Sequence, residues 1–134
     1  RRYLSKLSGP LLDRIDLRVN VENVSRIELA ETNNETSAQI RNRVIAARSV
    51  AANRFKQEKW RLNSEIPPRA LRQQYQPVKE AMNFLHDELD KEKITARGLH
   101  KIIRTSWTIA DLNGVIQPTL AEVTESYRLR EGIE

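Results

Sequence analysis

The stretch Thr95 to Leu112, TARGLHKIIRTSWTIADL, constrains this chain more than any other. As a helix it puts Leu99, Ile102, Ile103, Ser106 and Ala110 on one face at steps of three and four, the apolar stripe of a helix with one side in a core. Thr95 suits the N-cap, because its hydroxyl can accept a bond from a free N–H of the first turn. Asn113-Gly114 supplies a stop, since both residues tolerate the left-handed conformation that ends helices. Arg97 falls in the first turn. A cation there opposes the helix dipole by about 0.3–1 kcal/mol, so local stability gives no reason for it. A solvated arginine and an anion ligand are both open at this point.

A length of 134 residues suits one domain, or one domain plus the edge of another. At 39% hydrophobic, 31% charged and 5% aromatic, the core is expected to be small and aliphatic. The 23 Lys and Arg against 18 Asp and Glu give +5, which favours anionic partners such as nucleotides or nucleic acid. There is no cysteine, which removes disulfides, thiolate metal sites and cysteine nucleophiles together. No apolar run approaches the ~20 residues of a membrane span, and no signal-peptide pattern opens the chain. A cytoplasmic protein is the expectation.

In chain order, the opening RRYLSKL, with no initiator Met, reads as the tail of a longer protein. Ser8-Gly9-Pro10 launches a short helical turn. Leu11, Leu12 and Ile15 should face inward, leaving Asp13, Arg14 and Asp16 outside. Asp16 to Glu22 alternates strictly, with Leu17, Val19 and Val21 on one face, and reads as a half-buried strand. One strand cannot be a sheet, so its ladder partners are expected elsewhere. Val24 to Asn34 reads as a connector, with capping-box spacing from Ser25 to Glu28.

The same spacing at Thr36 to Gln39 opens a long helix with Ile40, Val44, Ala47, Ala51 and Phe55 inward and Arg41, Arg43, Arg48 and Arg54 on its outer face. Pro67 and Pro68 break the chain before a short helix, Arg69 to Tyr75. Pro77 starts another, with Val78, Ala81, Met82, Leu85 and Leu89 buried and Asp87 to Lys93 as its solvated end. After the central helix, Thr119 to Glu122 opens a last one, with Leu120, Val123 and Tyr127 inward. The expected fold is mainly α: one N-terminal remnant strand, then a bundle of about five helices.

No GxxxxGK[ST] loop is present, and the paired carboxylates sit in charge-rich surroundings where nothing would raise a pKa for acid catalysis. His86 and His100 are outside any metal spacing. The chain alone is expected to lack catalytic activity. Arginine remains. A guanidinium supplied from a neighbouring subunit can stabilise the charge of phosphoryl transfer, an effect of about 10³–10⁵ in rate. It must stay charged, forked and rigidly based, and Arg14, directly before the strand, fits.

Ser8 to Leu17, SGPLLDRIDL, resembles the segment after the sensor-1 strand in magnesium-chelatase-like AAA+ ATPases, in particular the bacterial competence-protein (ComM) branch. The likeness continues through IRNRVIAAR (40–48), LNSEIPPRALR (62–72), TARGLHKIIR (95–104), TIADL (108–112) and AEVTESYR (121–128). SGPLLDRIDL together with TIADL is the specific pair. The chain departs from the family's usual pattern at Ala51, Pro68 and Trp107, the last setting an aromatic where the outer face of the central helix commonly carries a basic residue.

The resemblance implies a C-terminal AAA+ fragment. Residues 1–24 would end the α/β nucleotide-binding domain, 25–35 would link, and 36–134 would form the helical lid. It implies that Arg14 is the arginine finger and Arg97 the sensor-2 arginine. It further implies a hexameric motor that uses ATP and Mg²⁺, bound mostly by upstream residues, and does branch-migration or helicase work on DNA. The chelatase branch, which inserts Mg²⁺ into a porphyrin, is the alternative within the family. Outside it stands a free-standing basic module that docks on nucleic acid through Arg41, Arg43, Arg48 and Arg54. Asp111 is expected to pair with a nearby arginine as a structural contact.

Overall fold

The structure is a computed structural model that describes residues 9–21, 23 and 35–132. Among these residues the elements are α1 (Gly9–Leu12), α2 (Ser37–Arg54), a 3₁₀ turn (Asn63–Glu65), α3 (Pro68–Gln73), α4 (Lys79–Asp90), α5 (Ala96–Asn113) and α6 (Leu120–Glu131). This is the mainly α bundle expected. The opening RRYLSKL and most of the connector, with its Ser25 to Glu28 spacing, lie outside the described residues. Among the described residues no helix is long and apolar enough to cross a membrane.

Helix α5 is the axis of the bundle. Thr95 caps it in extended backbone (φ −89°, ψ 162°) and accepts from the Gly98 amide at 2.9 Å, while Gly114 ends it at φ 71°. The buried set is wider than one stripe: Gly98, Leu99, Ile102, Ile103, Ser106, Trp107, Ile109, Ala110 and Asp111. The reason is that α2, the 3₁₀ turn, α3, α4 and α6 all pack on it. Trp107 is therefore not on an outer face. It is 5% exposed and donates its indole N–H to the Tyr75 carbonyl at 2.9 Å. Around it Phe55, Trp60 and Tyr75 meet edge to face at 5.6–6.4 Å between centroids. Ile66, Leu71, Leu85, Ile102, Ile103 and Val123 are fully buried between the helices. Each such side chain contributes about 1.5–3 kcal/mol of transfer free energy.

Helix α2 opens on the expected capping box: Thr36 N donates to Gln39 Oε1 at 2.8 Å, and Gln39 N to Thr36 Oγ at 3.3 Å. Only its C-terminal half joins the core, through Ala47, Ala51 and Phe55. Ile40 (43% exposed) and Val44 (38%) belong to the same stripe but have run past the end of the bundle. Arg54, expected on the outer face of α2, is half-buried. Instead of standing on a solvated face it donates through Nη1 to Asp111 Oδ2 (3.2 Å) and Asn63 Oδ1 (3.0 Å), and through Nη2 to Asp111 Oδ1. Its guanidinium lies 4.2 Å from the Trp107 ring centroid. Asn63 closes the network onto Asp111 at 2.9 Å and Thr108 at 3.1 Å. Asp111 thus has the structural arginine partner expected of it.

The end of α4 is not wholly solvated. Glu88 is buried and takes Lys91, Lys93 and the Tyr127 hydroxyl, all at 3.1 Å. Residues 17–21 form no strand, and Glu22 lies outside the described residues. Leu17, Val19 and Val21 are exposed, because no ladder partner lies beside them among the described residues. The Arg18 amide alone reaches a backbone acceptor, the Leu129 carbonyl, at 2.7 Å.

Two predictions follow from this packing. Asp111→Ala leaves a half-buried Arg54 without its counter-charge and should destabilise the fold by about 3 kcal/mol; a neutral effect in urea unfolding would mean the network holds nothing. Within the bundle, Glu88 and Glu122 both lie below the ordinary glutamate value. Glu122 is held there first by the Thr119 hydroxyl, and Glu88 first by Lys93 and then by Lys91, with burial opposing in both. A depressed carboxyl stabilises above its unfolded pKa and loses that contribution as pH falls through its folded value. Stability should therefore fall below roughly pH 4.3, and Glu122→Gln should flatten the decline in acid titrations monitored by circular dichroism.

Candidate functional site

Helix α1 is short and ends in a tightened turn. The Asp13 amide bonds to Gly9 O at 3.0 Å, Arg14 to Leu11 O at 3.0 Å and Ile15 to Leu12 O at 3.1 Å. Such an ending leaves its last carbonyls free. Here side chains of the bundle take all three that follow. Arg130 Nη2 donates to Asp13 O at 3.2 Å, Lys101 Nζ to Arg14 O, and Arg130 Nη1 to Ile15 O at 2.8 Å.

The side chains of the turn are held as well. Asp13 Oδ1 accepts from Arg130 Nη2 at 2.7 Å and from the Thr95 hydroxyl at 2.9 Å. Asp16 pairs with Lys101 at 2.6 Å. Asp13, expected to face out, is thus half-buried and bonded to the residue that caps α5, whereas Leu11, expected inward, is exposed.

Arg130 is 4% exposed, and Gly98 makes room for it: a Cβ at Gly98 would come within 3.1 Å of Nε and 3.2 Å of Nη2. A buried guanidinium is tolerable because Asp13 neutralises it, two carbonyls accept two further N–H groups, and Glu131 lies 3.9 Å from Nε.

The clasp brings together the neighbourhoods of the two arginines singled out in the sequence. Arg14 follows Asp13; Arg97 is the second residue of α5, two after Thr95. Both are exposed, and among the described residues neither guanidinium has a hydrogen-bond or ion-pair partner. A groove of about 320 Å³, lined by Asp16, Leu17, Ser64, Lys101, Arg104 and Thr105, with Thr108, includes neither arginine and adjoins the turn through Asp16 and Lys101. Arg104 donates to the Ile66 carbonyl through Nε at 3.0 Å and Nη2 at 2.6 Å. His100 is held below the ordinary imidazole value by burial first, then by Arg104 and Arg72, and so stays neutral near pH 7. His86 is exposed. Among the described residues no group of three or more His, Asp or Glu is placed to hold a metal ion.

The arginines of α2 are not brought to this site as a set. Arg43 forks onto Glu35, and Arg54 onto Asp111. Arg41 and Arg48 are exposed.

Sequence reasoning missed Arg130, Lys101 and Gly98. Two had a signal. Gly98 stands in the first turn of a helix, where Gly costs about 1 kcal/mol against Ala. Arg130 lies seven residues after Val123, on the inward stripe of α6.

Comparison with known proteins agrees with the resemblance in the motifs. Residues 34–130 match the family model described as magnesium chelatase, subunit ChlI C-terminal, and residues 1–29 match magnesium chelatase, subunit ChlI. An uncharacterized protein of Mycobacterium tuberculosis (strain ATCC 25618 / H37Rv) is 38% identical over 131 residues, covering 98% of this chain and 26% of the relative. The competence protein ComM of Haemophilus influenzae is 39% identical over 126 residues, 90% of this chain and 24% of ComM. The uncharacterized protein YifB of Escherichia coli is 32% identical over 114 residues, 84% of this chain and 22% of YifB. The chain spans about a quarter of the length of these relatives. It belongs to the magnesium-chelatase-like family and corresponds over residues 34–130 to the C-terminal region of ChlI.

Proposed function

We propose that this chain is the C-terminal part of an oligomeric, cytoplasmic AAA+ ATPase in which residues 1–24 end the nucleotide-binding domain, 25–35 link, and 36–134 form the lid. ATP sits between subunits of a hexamer. Arg14 is the arginine finger, and Arg97 is a second phosphate contact from the lid. The observation that carries this is the clasp: Asp13, next to Arg14, is hydrogen-bonded to Thr95, the cap of the helix whose first turn holds Arg97. Two exposed guanidiniums without partners among the described residues, close to a helix N-terminus, suit a phosphate. Its negative charge would relieve both the two cations and the dipole that Arg97 opposes.

The donors present fit phosphate and not Mg²⁺, since no carboxylate cluster accompanies them among the described residues; in this reading the metal's ligands lie upstream. Arg14 stabilises charge on the transferring phosphoryl oxygens. Hydrolysis then moves the lid, together with the Arg14 turn clasped to it, against the rest of the nucleotide-binding domain.

DNA is the proposed substrate of the motor, with branch migration or unwinding as its work. Support comes from the likeness of SGPLLDRIDL and TIADL to the competence branch and from the +5 charge. A free-standing module docking through Arg41, Arg43, Arg48 and Arg54 is less well supported, because Glu35 and Asp111 neutralise two of the four.

In the full-length protein, Arg14→Ala should keep ATP binding and lower hydrolysis by at least about a hundredfold. Turnover at the wild-type rate would remove the finger assignment. Arg97→Ala should weaken nucleotide binding or slow turnover, and no change in either would return Arg97 to a surface cation.

A further inference from the structure

We infer that Arg130 and Lys101 are positioning residues for Arg14, fixing the turn that bears it to the helical bundle so that the two move as one body. This rests on the finger reading of Arg14. The carbonyls of Asp13, Arg14 and Ile15 are each held by a cation from α5 or α6, and those held by Arg130 straddle Arg14. A turn with no positioning duty would leave such carbonyls to water, with no need to bury a guanidinium.

The forked shape matters. Nη1 reaches Ile15 O at 2.8 Å while Nη2 takes Asp13 at 2.7 Å, and no single ammonium group spans both sides of the turn. Gly98 is part of the device, because a side chain there would crowd the guanidinium at 3.1 Å. The Thr95 hydroxyl on Asp13 extends the coupling to the cap of α5. A change in the bundle's angle therefore carries the Arg14 turn with it.

The test is Arg130→Lys in the full-length ATPase, alone and combined with Arg14→Ala. An ångström of misplacement at a catalytic group costs on the order of a hundredfold. Arg130→Lys should therefore lower kcat about ten- to hundredfold with KM for ATP within about threefold. In the Arg14→Ala background the same change should add nothing, since there is no finger left to position. Losses that multiply, or a kcat like the wild type, would overturn the inference while slow turnover of Arg14→Ala left the finger reading intact. Wild-type turnover by Arg14→Ala would overturn both. If Arg130→Lys fails to fold, Lys101→Gln takes its place, because it removes only the contacts to Arg14 O and Asp16; the same non-additivity is expected, and additive losses overturn the proposal.

Discussion

Burial of α5 on nearly every side is the constraint from which the rest of the molecule follows. Ile102, Ile103, Ser106 and Ala110 are 1% exposed or less. A helix in that position has to be covered by neighbours whose polar groups have been settled beforehand. Ser106 turns its hydroxyl back to the Ile103 carbonyl at 2.8 Å, and Ser126 of α6 donates to Ile102 O at 2.9 Å, so the seam between α5 and α6 closes without an orphaned hydroxyl. Asp111 near one end of α5 and Thr95 at the other tie it to Arg54 and to Asp13.

Two arginines solve the same electrostatic problem at those ends. Arg54 faces Asp111 and Asn63; Arg130 faces Asp13 and two carbonyls. Each is a desolvated guanidinium whose cost is offset only by a carboxylate plus further acceptors in the right directions. Their consequences differ. Arg54 joins elements already packed in the bundle, and Arg130 joins the bundle to a turn outside it. The first is a matter of stability. The second decides where Arg14 is presented, and so bears on the chemistry proposed for the family's C-terminal region.

What could be read in the sequence was local. Thr36, Thr95 and Thr119 declare themselves as caps because capping chemistry involves residues within one turn. Gly114 is legible for the same reason. The stripe Ile40, Val44, Ala47, Ala51, Phe55 was correctly amphipathic, but periodicity names a face and not what covers it, and Ile40 and Val44 stand exposed. Trp107 was misplaced because a one-stripe picture fails for a helix surrounded by partners. The clasp was illegible: Arg130 and Asp13 are 117 positions apart, and no spacing rule reaches across that distance. The sensor role proposed for Arg97 came from resemblance alone, whereas the finger role proposed for Arg14 came from resemblance joined to its place directly before the predicted strand. The geometry contributes a reason for the two to share one end of the molecule.

The most direct test is a structure of the full-length oligomer with a non-hydrolysable ATP analogue. The Arg14 guanidinium should lie within about 3 Å of a terminal phosphate oxygen, with its turn still clasped by Arg130. A nucleotide whose phosphates are met by neither Arg14 nor Arg97 would contradict it.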